Sequence, residues 1–251
     1  MNRRFILAAA SCLELMAALC SAAEADRLVI PATKPSIDTK TGPQKLKGAL
    51  LYVPSSYRPA DPMPLLILLH GLDMSPGGWL SSGQRRFGGS FADHAEAGRF
   101  IVLAPDSGRN TFGIGPATFG SDVAAINRAL DQAFAKCAID RHRIAIGGLS
   151  DGASYALSVG LRNGDLINGI IAFSPGYIVK HIGRARPAIF ISHGRADTIL
   201  PIDSASRKFV KDLRKNGYTV DYEEFDGRHE IPLPVAKKAV AWLTANFQKT
   251  R

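Results

Sequence analysis

Five short apolar runs separated by helical patterns constrain this chain more than any other feature. Residues 65–69, 100–104, 144–146, 170–173 and 188–191 carry no polar side chain. Runs of this length suit strands buried on both faces. Between them the period changes. Residues 122–135 place Val123, Ile126, Leu130 and Phe134 on one stripe. Residues 204–216 gather Phe209, Val210 and Leu213 before Gly217, with Asp203 read as the cap, and residues 235–247 gather Val240, Leu243 and Phe247. The alternation predicts an α/β fold, a mostly parallel sheet with helices on both faces, which binds its ligand beyond the carboxyl ends of the strands. Residues 46–53 read as an early strand and residues 220–225 as a last, edge strand.

No linker or repeat divides the chain, so residues 47–251 are read as one domain. Residues 24–46, rich in Pro, Thr and Lys, are read as an extended lead-in. Residues 1–23 have the form of an export signal: Arg3 and Arg4, an apolar stretch from Phe5 to Leu19, then small residues that allow cleavage near Ala23 or Ala25. A periplasmic or secreted protein is the expectation. Of the three cysteines, Cys12, Cys20 and Cys137, only the last survives cleavage, which excludes an intramolecular disulfide. Cys137 ends a helical pattern and is read as a core residue. The net charge of +9 is scattered, which fits a solubility role and leaves open a weak attraction to anionic surfaces. No interleaving of basic and aromatic residues suggests nucleic acid, and no ligand pattern suggests a metal. Nothing in the sequence speaks to oligomeric state.

One turn between strand and helix carries chemistry. Gly148-Leu149-Ser150-Asp151-Gly152 has the G-x-S-x-G form, with the strand at 143–147 before it and a helical run at 153–159 after it. A serine on so tight a turn projects from the sheet, and the glycines let the strand and helix backbones approach. Three other groups follow strands: His70-Gly71-Leu72, Asp197 in His193-Gly194-Arg195-Ala196-Asp197, and His229 in Asp226-Gly227-Arg228-His229-Glu230. The order Ser150, Asp197, His229 suits a nucleophile, an orienting acid and a base. His70 and His193 read as loop braces; His94, His142 and His181 read as surface residues.

On these motifs the chain resembles α/β-hydrolases of the phospholipase/carboxylesterase group, with similarity to polyhydroxybutyrate-depolymerase-like esterases, over roughly residues 47–247. The H-G-x and H-G-x-x-D segments match. The glycine before the base is displaced by Arg228, and Asp73 stands where many relatives have a second glycine. The resemblance implies an α/β-hydrolase fold in which Ser150 attacks, His229 is base and then acid, and Asp197 orients His229. It further implies an oxyanion hole of the Leu72 and Asp151 backbone N–H groups. No cofactor is implied. The span from Ser150 to Asp197 is too short for a large cap domain, so an open site is expected. Trp79 and Tyr177 are candidate pocket residues. The expected activity is serine ester hydrolysis through an acyl-enzyme, on short-chain, small soluble or polymer-end esters. Polyester or feruloyl-type esterase, lysophospholipase, peptidase and an inactive binding protein on the same fold stay open.

Overall fold

The structure, a computed structural model, describes residues 27–249 apart from 33–34, 37–38, 82–85, 114–115 and 180–184, and the side chains of 116–120. The export-signal expectation and His181 lie outside the described residues. Eight strands among those described form one sheet: β1 (Gly42–Leu46), β2 (Ala49–Val53), β3 (Met63–Leu69), β4 (Ile101–Pro105), β5 (Ile139–Leu149), β6 (Gly169–Phe173), β7 (Ala188–Gly194) and β8 (Val220–Phe225). Their order is β1-β2-β4-β3-β5-β6-β7-β8. The β1–β2 and β2–β4 pairs are antiparallel and the remaining pairs parallel.

The central strands are apolar throughout because both faces are covered. Leu65, Leu66, Ile67, Leu68 and Leu69 are all fully buried, and alternate members join opposite layers. On one face lie α3 (Pro116–Lys136), α4 (Asp151–Arg162) and α5 (Ser206–Lys215). On the other lie α1 (Pro76–Leu80), α2 (Phe91–Gly98) and α6 (Leu233–Lys249). Residues 174–187 alone connect β6 to β7, and no cap domain is inserted there.

Several expectations need correction. The early strand at 46–53 is a hairpin, β1 and β2, turned at Lys47 and Gly48, where Gly48 has φ +73°. The lead-in at 24–46 is therefore not separate from the domain. Besides supplying β1, it buries Leu28, whose N–H donates to Asn163 Oδ1 at 2.9 Å. Asp203 does not cap α5; the cap position is Ala205, and Asp203 instead accepts from Arg207 Nη1 at 2.8 Å. His94 is buried, not on the surface, because it lies on the inner side of α2 with Nε2 on the Gly88 carbonyl at 2.9 Å. Cys137 is buried, and burial pushes its thiol up to about 12, so it is not a nucleophile at neutral pH.

Candidate active site

Ser150 sits between β5 and α4 with φ 58° and ψ −120°, a backbone state costly for any residue but glycine. Its neighbours hold it there. Its N–H donates to the Phe173 carbonyl at 2.9 Å, and its carbonyl accepts from both the N–H and the hydroxyl of Ser154, each at 2.9 Å. The flanking glycines are sterically required. A Cβ on Gly148 would stand 2.6 Å from the Leu69 carbonyl oxygen, and one on Gly152 2.5 Å from that of His70. Side chains at either position would collide with backbone, which cannot swing away. Helix α4 then starts directly after Ser150 and directs its positive end to the serine's surroundings.

The H-G-x segment lies against the serine. A Cβ on Gly71 would fall 3.3 Å from Ser150 Cβ. Leu72 follows with its side chain exposed, and Asp73 turns the chain with φ 55°. His70 is buried and braces this turn: Nδ1–H donates to the Gly71 carbonyl at 2.9 Å, and Nε2 accepts from the Ser107 N–H at 3.3 Å.

Asp197 and His229 follow β7 and β8, two and three strands away from the serine strand, and meet there. His229 Nδ1–H donates to Asp197 Oδ2 at 2.7 Å, which leaves Nε2 with the free lone pair that a base needs. Asp197 Oδ1 accepts the N–H groups of Ile199 and Leu200, both at 2.9 Å. Burial alone would raise the Asp197 pKa. The Leu200 N–H, His229 and the Ile199 N–H outweigh burial and hold it below the ordinary carboxylate range. A second imidazole touches the same carboxylate: His193 Nε2 lies 3.1 Å from Asp197 Oδ2. That nitrogen also meets the Leu200 carbonyl at 2.8 Å and so carries the proton, while Nδ1 accepts from the Ser206 hydroxyl at 2.7 Å. Burial, first, pushes the His193 pKa down against the pull of Leu200 and Asp197, so it stays neutral. Gly194 closes the two loops onto each other: a Cβ there would stand 2.5 Å from the Gly227 carbonyl oxygen, and the Ala196 N–H reaches that oxygen at 2.9 Å.

The two pocket candidates separate. Trp79 is fully buried, edge-on to Phe91 with centroids 5.1 Å apart; it is a core residue of α1 and lines no open pocket. Tyr177 is half-buried on the loop after β6. Burial, and then the charges of Asp151 and Asp122, push its hydroxyl pKa upward. Sequence reasoning missed Arg109, Thr111 and Asp122, which no motif marks. Thr111 Oγ1 donates to Asp151 Oδ2 at 3.0 Å, and Arg109 Nη2 donates to both oxygens of buried Asp122 at 3.0 Å each. Among the described residues no three His, Cys, Asp or Glu side chains converge as a metal site.

Comparison with known proteins agrees with this architecture. The family model described as Phospholipase/Carboxylesterase matches residues 117–244, and the chain belongs to that family. No curated protein matches the chain by sequence. Among solved structures, esterase PE8 is similar at TM-score 0.62 and 18% identity, covering 84% of this chain and 100% of its own. A CE1 ferulic acid esterase from the anaerobic fungus Anaeromyces mucronatus is similar at TM-score 0.62 and 17% identity, covering 88% of this chain and 98% of its own. An S-formylglutathione hydrolase from Agrobacterium tumefaciens is similar at TM-score 0.61 and 16% identity, covering 86% and 100%. The fold is that of the α/β-hydrolases, and the protein is an enzyme of the serine esterase type.

Proposed function

We propose that the protein hydrolyses short-chain or small soluble carboxylic esters through an acyl-enzyme, with Ser150 as nucleophile. His229 Nε2 takes the serine proton as the hydroxyl oxygen attacks the ester carbonyl, then returns it to the departing alcohol. Water repeats the sequence in reverse roles and releases the acid. Asp197 keeps Nδ1 protonated and stabilises the imidazolium that forms at each attack. The backbone N–H groups of Leu72 and Asp151 hold the carbonyl oxygen as it becomes an oxyanion. The observation that carries this reading is the 2.7 Å bond from His229 Nδ1–H to a buried, ionised Asp197, in a sheet that also holds Ser150 at a strained elbow.

Two exposed apolar side chains support a small acyl or alkyl substrate: Leu72, which follows the glycine against Ser150, and Ile199, whose N–H binds Asp197. The missing cap domain favours substrates that need no deep tunnel. Aryl esters of the feruloyl type are the second reading, favoured by the fold shared with the ferulic acid esterase. Export to the periplasm or beyond, proposed from the sequence at 1–23, gives the enzyme access to external esters.

The test is release of p-nitrophenol from acetate, butyrate and octanoate esters, with methyl ferulate in parallel, by wild type and Ser150→Ala. Rates falling from butyrate to octanoate and abolished in the variant are expected. Faster turnover of methyl ferulate would favour the second reading. No hydrolysis by folded wild type, with no fluorophosphonate labelling, would leave a binding protein on a hydrolase fold.

A further inference from the structure

The two oxyanion donors assigned above belong to different elements: Leu72 to the turn after β3, and Asp151 to the first turn of α4. Preorganised donors stabilise a developing charge only if their spacing holds to within about 0.5 Å. The loop that follows β4, residues 106–113, touches both elements. Toward the H-G-x turn, the Ser107 N–H donates to His70 Nε2 at 3.3 Å, and the Asn110 carbonyl accepts the Asp73 N–H at 2.9 Å. Toward the helix, Thr111 Oγ1 donates to Asp151 Oδ2 at 3.0 Å. The ring of Phe112, fully buried, sits between the two, 5.0 Å from His70 and 5.4 Å from Tyr155 of α4.

The loop is itself locked. Ser107 Oγ donates to the Arg109 carbonyl at 2.5 Å and accepts the Arg109 N–H at 3.2 Å. From α3, the buried carboxylate of Asp122 receives Arg109 Nη2 on both oxygens and the Gly113 N–H on Oδ2. One anchored carboxylate thus fixes both ends of the segment that carries Asn110 and Thr111.

We infer that residues 106–113 set the geometry of the oxyanion hole, with Asp122 as anchor and Thr111 as the link to Asp151; this rests on the esterase reading of the site. Thr111 has a second consequence. Asp151 adjoins the nucleophile, and a carboxylate free to turn toward the developing oxyanion would oppose it by like-charge repulsion. The Thr111 hydroxyl holds that carboxylate in one place. Asp122 and Thr111 are positioning residues: they act through the groups that meet the substrate.

The experiment compares wild type, Thr111→Val, Thr111→Ser, Asp122→Asn and Ser150→Ala on p-nitrophenyl butyrate, with active sites counted by fluorophosphonate and thermal melts alongside. Thr111→Val keeps size and shape and removes the hydroxyl. Its kcat should fall about tenfold with KM within about twofold, because ground-state binding does not use the oxyanion geometry. Thr111→Ser should restore most of the loss. Asp122→Asn should lose about 100-fold in kcat, the scale of an ångström misplacement. Wild-type kcat in Thr111→Val, or a loss that Thr111→Ser does not restore, overturns the inference alone. So does an activity loss matched by a loss of titratable sites, which marks a merely structural role. If wild type lacks Ser150-dependent hydrolysis, the esterase reading and this inference fall together.

Discussion

The serine half and the acid–base half of the site are built by different means. Around Ser150, position is set by backbone meeting backbone: Gly148 and Gly152 lie against carbonyls of β3 and the residue after it, inside the most buried part of the sheet. Around Asp197 and His229, position is set by hydrogen bonds between two loops at the edge of the sheet, with Gly194 as their point of contact. The first arrangement admits one geometry or none. The second can shift and can titrate. Rigidity is therefore concentrated at the Ser150 turn, and sensitivity to pH at Asp197 and His193.

Substitutions can break or sharpen that contrast, and we take them from the largest expected effect to the smallest. Asp197→Asn should keep the fold, since an amide oxygen can still accept the Ile199 and Leu200 N–H groups, and should lower kcat about 10⁴-fold by losing the charge and tautomer control of His229. A stopped assay on folded variant checks this; a loss below tenfold would point to another acid. Gly152→Ala should destabilise by about 3 kcal/mol or more, read from denaturant midpoints, because no side-chain motion relieves its contact. A variant as stable as wild type would show that the elbow can relax and would erase the contrast. Gly194→Ala also meets backbone, since a Cβ there would collide with the Arg228 carbonyl oxygen. That oxygen belongs to a loop and not to a sheet strand, so the variant should lose about 1–2 kcal/mol less than Gly152→Ala and still lower kcat about 100-fold by moving His229. Unfolding as severe as that of Gly152→Ala would put both halves in one class.

The smallest effect concerns pH. His193 is held neutral when folded, so the unfolded chain binds more protons below about pH 6.5, and stability should decline as pH falls through that value. Asp197, with its folded pKa depressed, contributes stability that is complete above 3.8 and is lost as pH falls through the lower, folded value. Both slopes have the same sign, one above the other in pH. In His193→Gln the decline that starts near 6.5 should be shallower while the lower one remains. Identical profiles for variant and wild type would remove His193 from the account.

Legibility from sequence followed how local each signal is. The central strands were readable because burial on both faces leaves runs without polar residues, as at 65–69. The elbow, Asp197 and His229 were readable because each combines a chemical residue with glycines forced by a close approach. The β1–β2 hairpin was not, because Leu46 is the one large apolar residue of β1 and so reads as the start of β2, hiding the turn at Lys47 and Gly48. Helices α1 and α2 span five and eight residues, too short for their period to emerge. Asp203 looked like a cap because it precedes a helix, and the deciding fact, a pairing with Arg207 one turn on, depends on where the helix starts. Asp122, Arg109 and Thr111 carried no signal at all: their meaning lies in the pairing of Arg109 with Asp122 and the bond from Thr111 to Asp151, contacts that only the fold creates.

The tie between the N-terminal segment and the far end of α4 has a practical consequence. Arg27 Nη1 donates to the Arg162 carbonyl at 2.8 Å, and the Leu28 N–H donates to Oδ1 of Asn163, the residue after it, at 2.9 Å. Ser150 caps that 12-residue helix and Arg162 ends it, a separation of about 18 Å along the axis. A bead or electrode coupled beside Arg27 would grip the protein at the end of α4 far from Ser150. Surface-bound enzyme would then face its substrate solution in one orientation, without chemistry near the loops that react.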